Sequence, residues 1–402
     1  MAFAAVFRLW GTFDLNEKIE DEILHVSYAV SLGTYGPTGD WSWQHPQLSG
    51  LLMWSAYSLF GDNPVGWRIG NVFFGTATVA LVFLIGRILY PGRAVALIAA
   101  ALLAFDPHHI YLSRTSFVEI PVTFFFLLYM YMLLEYTENK RETLVPAGIA
   151  MGLTMGTKAY FAFVLPLIAL YALYRAYRRQ ELTREVRADF FFCLVLLPLA
   201  VYFLTYMRWF DRGSTLYEFV QMKFDAVRAL KDLTMDNFAH NRDYLLAGGR
   251  PWEWFTKPLF WGHQRLLAEN SGIFLIQSNN PPFRLFVIPS LFVASMCAWS
   301  ERSLREFLAP LLFAGCYLLV LFAQRPIFSY SAAVMLPFAY YVLARTVVWA
   351  GVRMRCEKAV YSCFLAAVIA WGAYMFPIAA ARHVPVDLYR PVLSVLRYLG
   401  NF

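Results

Sequence analysis

Runs of apolar residues, punctuated by short polar stretches, dominate this chain. A helix needs about 20 apolar residues to cross the hydrocarbon of a bilayer. Such runs lie near 68–88, 94–112, 117–135, 189–208, 283–300, 307–323, 329–349 and 359–379. The stretch 145–175 is too long for one helix and divides into 145–156 and 159–175, around Gly156-Thr157-Lys158. Met1 to Trp10 is apolar but too short to span, and it lacks the parts of a complete signal peptide. It reads as the remnant of a truncated first helix. With it the pattern predicts about eleven transmembrane helices in an all-α, polytopic membrane protein, one helical bundle over 1–402.

Composition sharpens this. Hydrophobic residues make up 59% of the 402 positions and charged residues 15%, against roughly 45–50% and about 25% in soluble domains. That excludes a soluble domain, a disordered chain and a secreted disulfide scaffold. The five cysteines lie in or beside apolar runs with no CxxC pair, as small buried hydrophobes do. The net charge of +7 is largely topological. Arg87/Arg93, Lys140/Arg141, Arg175 through Arg187, Arg302/Arg305 and Arg353/Arg355/Lys358 fall in loops that alternate onto one side, the cytoplasmic side by the positive-inside rule. No basic stripe is left for nucleic acid. The other side carries two long segments, 11–67 and 209–282, all seven histidines, and a concentration of carboxylates. A transporter would place its few ionisable groups near the bilayer midplane; here the polar chemistry collects at the outer surface.

Several outer residues invite a chemical reading. Asp21-Glu22 precedes a helix-like run, Ile23 to Leu32. An acidic pair at a helix N-terminus is favoured by the dipole alone. It can equally serve as a general base, one carboxylate raising the pKa of the other. His45-Pro46 opens a second interfacial helix, Leu48 to Phe60, after Trp41 and Trp43, which suit either membrane anchoring or sugar stacking. Arg68 starts a span, where an arginine either snorkels or holds phosphate. Arg114 is a partner for Glu119 at the membrane boundary. Lys158 is either a loop lysine or a cation for a phosphate or carboxylate. His108-His109 cannot readily share one metal from a helix face, and no ligand spacing supports a metal elsewhere.

Taken in order, these residues resemble the protein O-mannosyltransferase family, membrane glycosyltransferases of the GT-C type. The resemblance rests on Asp21-Glu22, His45-Pro46, Phe60-Gly61-Asp62-Asn63-Pro64-Val65-Gly66-Trp67-Arg68-Ile69, and Ser113-Arg114 through Glu119. It continues in Gly152 to Lys158, similar to a glycine-rich turn ending in lysine, in Met207 to Gly213, in Arg250-Pro251-Trp252-Glu253-Trp254 and in Arg325 to Tyr330. The chain departs from the family at Gln47 and Gly50, where a proline and a lysine are usual, and at Glu119, where Asp is usual. His25 is spaced one residue further from the acidic pair than in close members. The segment 209–282 is too short for the sugar-binding-like insert of eukaryotic members, which fits the prokaryotic side of the family.

The resemblance implies a polyprenyl-phosphate sugar donor, mannose by family, and transfer with inversion to a hydroxyl, a protein Ser or Thr by family, at the outer face of a prokaryotic cell membrane. It implies Asp21 as the base and Glu22 as its assistant or the acceptor's guide. Arg68 and Arg114 are then the first candidates for the phosphate or its bracing network, with Lys158, Arg212 and Arg325 behind them; His45 and Glu119 complete the substrate-binding set. A lipid phosphate leaves as an anion, so fixed cations are the main demand. No cofactor is certain; a divalent metal stays open, because some lipid-modifying relatives bind one near the donor phosphate, but no ligand spacing here supports it. Lipid or cell-envelope glycan acceptors, and a lipid-linked sugar flippase, stay open as alternatives.

Overall fold

A computed structural model describes residues 2–19, 21–34, 45–211, 213–232, 251–256, 260–268, 271–278, 281–322 and 328–398. The chain begins with three short helices, α1 (Ala2–Leu9), α2 (Glu22–Thr34) and α3 (Leu48–Phe60). The long helix α4 (Pro64–Leu89) follows, started by Asn63, whose side chain accepts from the Val65 and Gly66 amides, with Pro64 at the first helical position. Then come α5 (Ala94–Ala104), α6 (Pro107–Ser113), α7 (Glu119–Thr137) and α8 (Leu144–Thr157). A 3-10 turn, Ala159–Phe163, leads into α9 (Leu165–Arg178), and α10 (Arg184–Leu204) carries a π-helical turn at Phe192–Leu196.

Among the described residues, six helical segments are long and apolar enough to cross a membrane: Pro64–Leu89, Glu119–Thr137, Ala159–Arg178, Arg184–Leu204, Leu304–Leu321 and Glu357–Ala379. The pair α5 and α6, bent by 60°, makes a seventh if counted as one span. The chain is a multi-pass integral membrane protein; among the described residues six or seven spans pass this measure, and the expected eleven are not shown. The difference has local causes. The run 94–112 is broken where Asp106 caps α6 by accepting from the His109 amide at 2.5 Å and Pro107 occupies its first position. Helix α8 has 14 residues, about 21 Å of helix at 1.5 Å per residue. Ala2–Leu9 has only 8 residues.

The second half contains α11 (Met207–Asp211), α12 (Leu216–Asp232), α13 (Glu253–Thr256), α14 (Pro281–Ser300), α15 (Leu304–Leu321), α16 (Leu336–Arg353), α17 (Glu357–Ala379) and α18 (Val386–Tyr398). The expected all-α class needs one amendment. Strands β1 (Phe260–Ala268) and β2 (Ser271–Ser278) form an antiparallel hairpin, and β3 (His383–Pro385) joins β2 as a third antiparallel strand. The sheet rests on α6 and α17 through β2.

Helix α7 is the most buried of the candidate spans and packs against α4, α8 and α9. Helix α16 joins α5, α14, α15 and α17 around the other part of the core. The expected glycine-rich turn 152–158 is instead helical to Thr157. Gly148, Gly152 and Gly156 let α8 approach α10: a Cβ on Gly148 would stand 1.9 Å from the Cys193 carbonyl oxygen, and one on Gly152 2.6 Å from the Val201 side chain. Small residues spaced by four permit such close backbone approach.

The basic loops meet at one end of the bundle. Arg305 donates to the Ile88 carbonyl at 2.7 Å and faces Glu138 at 3.5 Å, and Arg179 donates to the Asn139 side chain at 2.7 Å. Glu138 follows the C-terminus of α7, so Glu119, at its N-terminus, marks the opposite end.

Candidate active site

At that opposite end, α2, α3, the start of α7, the α8–α9 junction and the turn Ser329–Val334 enclose a cavity of about 300 Å³. Asp21, His25 and Tyr28 line it at helical spacing, while Glu22, Val26 and Ala29, one position on, are buried behind. The helical period therefore separates the two acids of the pair. Asp21 looks into the cavity; Glu22 looks into the protein.

Asp21 shares the cavity with Glu119, Lys158 and Tyr330. Burial raises the Asp21 pKa above the usual carboxylate range and the Glu119 charge adds to this, against His25, a hydrogen bond from Tyr330, and Lys158. Lys158 caps the C-terminus of α8 and its ammonium bonds Glu119 Oε1. The Lys158 side chain keeps 19% exposure where the Glu119 side chain has 1%, so the lysine is the member of the pair that reaches the open space. Burial alone would lower the Lys158 pKa, but the Glu119 carboxylate and Tyr160 more than offset that and hold it cationic. Glu119 Oε2 is buried and has no hydrogen-bond partner among the described residues. His25 donates from Nδ1 to the Ser116 carbonyl at 2.8 Å if that nitrogen carries the proton, which leaves Nε2 for other contacts.

Glu22 and Arg68 form a buried frame beside the cavity. Arg68 meets Glu22 with two parallel bonds, Nε to Oε1 at 2.9 Å and Nη2 to Oε2 at 2.8 Å. Its remaining donors reach the carbonyls of Thr12, Leu15 and Glu17 at 3.1, 2.8 and 2.7 Å. All five guanidinium N–H groups are thus engaged. Glu22 also accepts from the Ile19 and Ser116 amides and the Ser116 hydroxyl. Removing one member of such a buried pair costs about 3–5 kcal/mol, because the other is left charged and unpaired. Arg114 is likewise committed to backbone: it donates to the carbonyls of Phe7 at 3.1 Å, Trp10 at 2.9 Å and Ala380 at 3.1 Å, tying α1 to the end of α17. The partner expected for Glu119 was Arg114; the structure pairs Glu119 with Lys158.

The exposed His45 lines the cavity, and its carbonyl accepts from Tyr206 at 3.1 Å and Gln47 at 2.7 Å. Arg212 and Arg325 lie outside the described residues. The structure thus brings together Asp21, His45, Glu119 and Lys158, and sets Glu22, Arg68 and Arg114 in the surrounding frame. His25, Tyr28, Tyr330 and Ser331 join the lining without having been singled out as site residues. The first two were within reach of the sequence, four and seven positions after Asp21; Tyr330 ends the Arg325–Tyr330 stretch that resembles the family, and Ser331 follows it. His108 and His109 are buried, and Arg8 donates to His109 Nδ1 at 2.7 Å. Among the described residues no group of three His, Cys, Asp or Glu side chains is placed to hold a metal ion.

Residues 19–212 match the model of a family described as dolichyl-phosphate-mannose-protein mannosyltransferase. The polyprenol-phosphate-mannose–protein mannosyltransferase of Mycobacterium tuberculosis is 26% identical over 261 residues, covering 54% of this chain and 50% of that protein. The enzyme of the same name from Corynebacterium glutamicum is 22% identical over 361 residues, covering 75% of this chain and 69% of its own. The chain thus spans about half the length of the mycobacterial relative it matches. Among solved structures, ArnT from Cupriavidus metallidurans superposes with a TM-score of 0.53 at 14% identity, covering 99% of this chain and 74% of that one. That likeness establishes a shared fold.

Proposed function

We propose that this chain, whose residues 19–212 match the model of the dolichyl-phosphate-mannose–protein mannosyltransferase family, transfers mannose from a polyprenyl-phosphate donor to a protein hydroxyl in the cavity bounded by Asp21 and Lys158. Asp21 takes the proton of the acceptor hydroxyl. The acceptor oxygen forms the new bond to the sugar's anomeric carbon from the face opposite the phosphate. The carbon–oxygen bond to phosphate breaks, and polyprenyl phosphate leaves as an anion beside the Lys158 ammonium. Displacement from the opposite face inverts that carbon. The observation that carries this reading is the single cavity holding a carboxylate of raised pKa and a lysine cation. The first suits proton abstraction and the second suits a departing phosphate.

The remaining residues take supporting roles. Glu119 holds Lys158, and its unpartnered Oε2 can accept from a sugar hydroxyl. The Glu22–Arg68 pair acts as a brace, because Arg68 has no spare donor for phosphate, and Arg114, bonded to the carbonyls of Phe7, Trp10 and Ala380, braces α1 against the end of α17. His45 forms part of the acceptor side, and Arg212 and Arg325 stand as further cations for phosphate on sequence grounds alone. The cavity faces the non-cytoplasmic side of a prokaryotic membrane in this reading, supported by the gathering of the basic loops at the far end of the bundle.

The test is Asp21→Asn in the full chain, brought to normal membrane levels and assayed with polyprenyl-phosphate-mannose and a Ser/Thr peptide. Loss of a proton acceptor should reduce turnover by about 10²–10⁴-fold; near wild-type transfer would remove Asp21 as base. A parallel assay with a lipid acceptor separates protein from lipid modification, and release of sugar product at all separates transfer from flipping.

A further inference from the structure

Helix α12 (Leu216–Asp232) is not one of the candidate spans, yet it is strongly amphipathic in an unusual way. At 100° per residue its side chains fall into three arcs rather than two. Phe219 and Ala226 are buried against the protein. Glu218, Gln221, Asp225 and Arg228 form an exposed polar arc. Between them lies a third arc of Leu216, Tyr217, Val220, Phe224 and Val227, apolar and exposed, with Tyr217 at 70% and Phe224 at 64%. A helix packed on a soluble surface needs only a buried side and a wet side. A contiguous uncovered apolar arc marks an interaction surface.

What covers it can be read from its neighbour. The apolar exterior of the span α10 is itself exposed at Phe203, Leu204 and, just beyond, Met207. The outside of a span faces acyl chains, and α12 begins a few residues after that surface ends. Its polar arc carries both signs of charge, which suits the water side of a headgroup layer. We propose that α12 lies in the plane of the bilayer interface, its Leu216–Val227 arc seated in the headgroup–acyl boundary, and that it there holds the His45 wall of the cavity. The link is made of side chains on its buried side. Lys223, whose Nζ stands 4.2 Å from the Tyr206 ring centroid, donates to the Tyr206 hydroxyl. Tyr206 donates to the His45 carbonyl at 3.1 Å, and Gln47 donates to the same carbonyl at 2.7 Å. The lipid surface thus becomes one support of the cavity mouth, through a helix that does not cross the membrane.

The seating is tested with the full-length protein in vesicles of phosphatidylethanolamine and phosphatidylglycerol. A benzophenone amino acid replaces Val220 or Phe224 on the apolar arc, or Gln221 or Asp225 on the polar arc, and irradiated protein is analysed by mass spectrometry. Phospholipid adducts at 220 and 224 should exceed those at 221 and 225 by about tenfold, as expected of an in-plane helix. Equal labelling of both arcs, no lipid adducts on the apolar arc, or cross-links there to a second copy of the chain would each overturn the proposal. The readout needs no sugar transfer, so it stands or falls separately from the reaction proposed above.

Discussion

Asp21 and Glu22 are adjacent in sequence and opposite in circumstance. One faces the cavity with a raised pKa; the other is fully buried in a two-pronged bond with Arg68. The difference predicts a pH signature. Asp21 works as base only when ionised, so transfer should rise with pH through its pKa, which lies above the ordinary value of about 3.9. The Glu119 charge raises that pKa and Lys158 lowers it. Glu119→Gln should therefore move the acid limb of the pH–rate profile to lower pH, and Lys158→Met should move it to higher pH. A limb that stays in place in both variants would mean that these groups do not share a field with the base. At this scale the sequence was partly legible. The helical spacing of Glu22, Val26 and Ala29 marks a buried stripe and leaves Asp21, His25 and Tyr28 on the other face. What spacing could not show is that Arg68, 46 positions later, spends every donor on that stripe and its neighbouring carbonyls, or that Lys158 rather than Arg114 meets Glu119. Those pairings are decided by tertiary packing.

Among the elements, the long spans were the most legible, because a continuous apolar run has few ways to fold in lipid. Where a run failed to become one straight helix, the cause was also written locally, as in Asp106-Pro107, a cap followed by a first-position proline. The hairpin Phe260–Ala268 and Ser271–Ser278 was missed: its third strand, His383–Pro385, comes from the far end of the chain, and no local pattern announces that pairing. The glycines of α8 were seen, but as a turn. Their spacing of four fits a helix contact better, and the contact with α10 is what delivers Lys158 to the cavity. Gly152→Leu should separate α8 from α10 and cost about 1–3 kcal/mol by overpacking, read as a lower melting temperature in detergent. Gly70→Ala, where an added Cβ meets nothing within 4 Å, is the matched control and should not destabilise. Equal melting of the two variants would contradict the close-approach reading.

Across the whole molecule, charge is divided between two ends. Arginines and their carboxylate partners Glu138, Glu301 and Glu306 tie the loops at one end, while the cavity, its two carboxylates and its lysine occupy the other. In the proposed reaction a lipid-anchored donor would place its tail among the spans and its headgroup in the polar cavity, with the acceptor arriving from water. The buried arginines Arg68 and Arg114 serve architecture in this account, and the half-buried Lys158 ammonium serves the phosphate. The most direct test is a cryo-electron microscopy structure of the full chain in lipid nanodiscs with bound polyprenyl phosphate. The account predicts the phosphate oxygens within about 3 Å of the Lys158 amine, Asp21 across the cavity on the side where the acceptor enters, and the Glu22–Arg68 pair unbroken. A phosphate seated on Arg68 or Arg114, with those backbone contacts released and Lys158 still closed on Glu119, would contradict it.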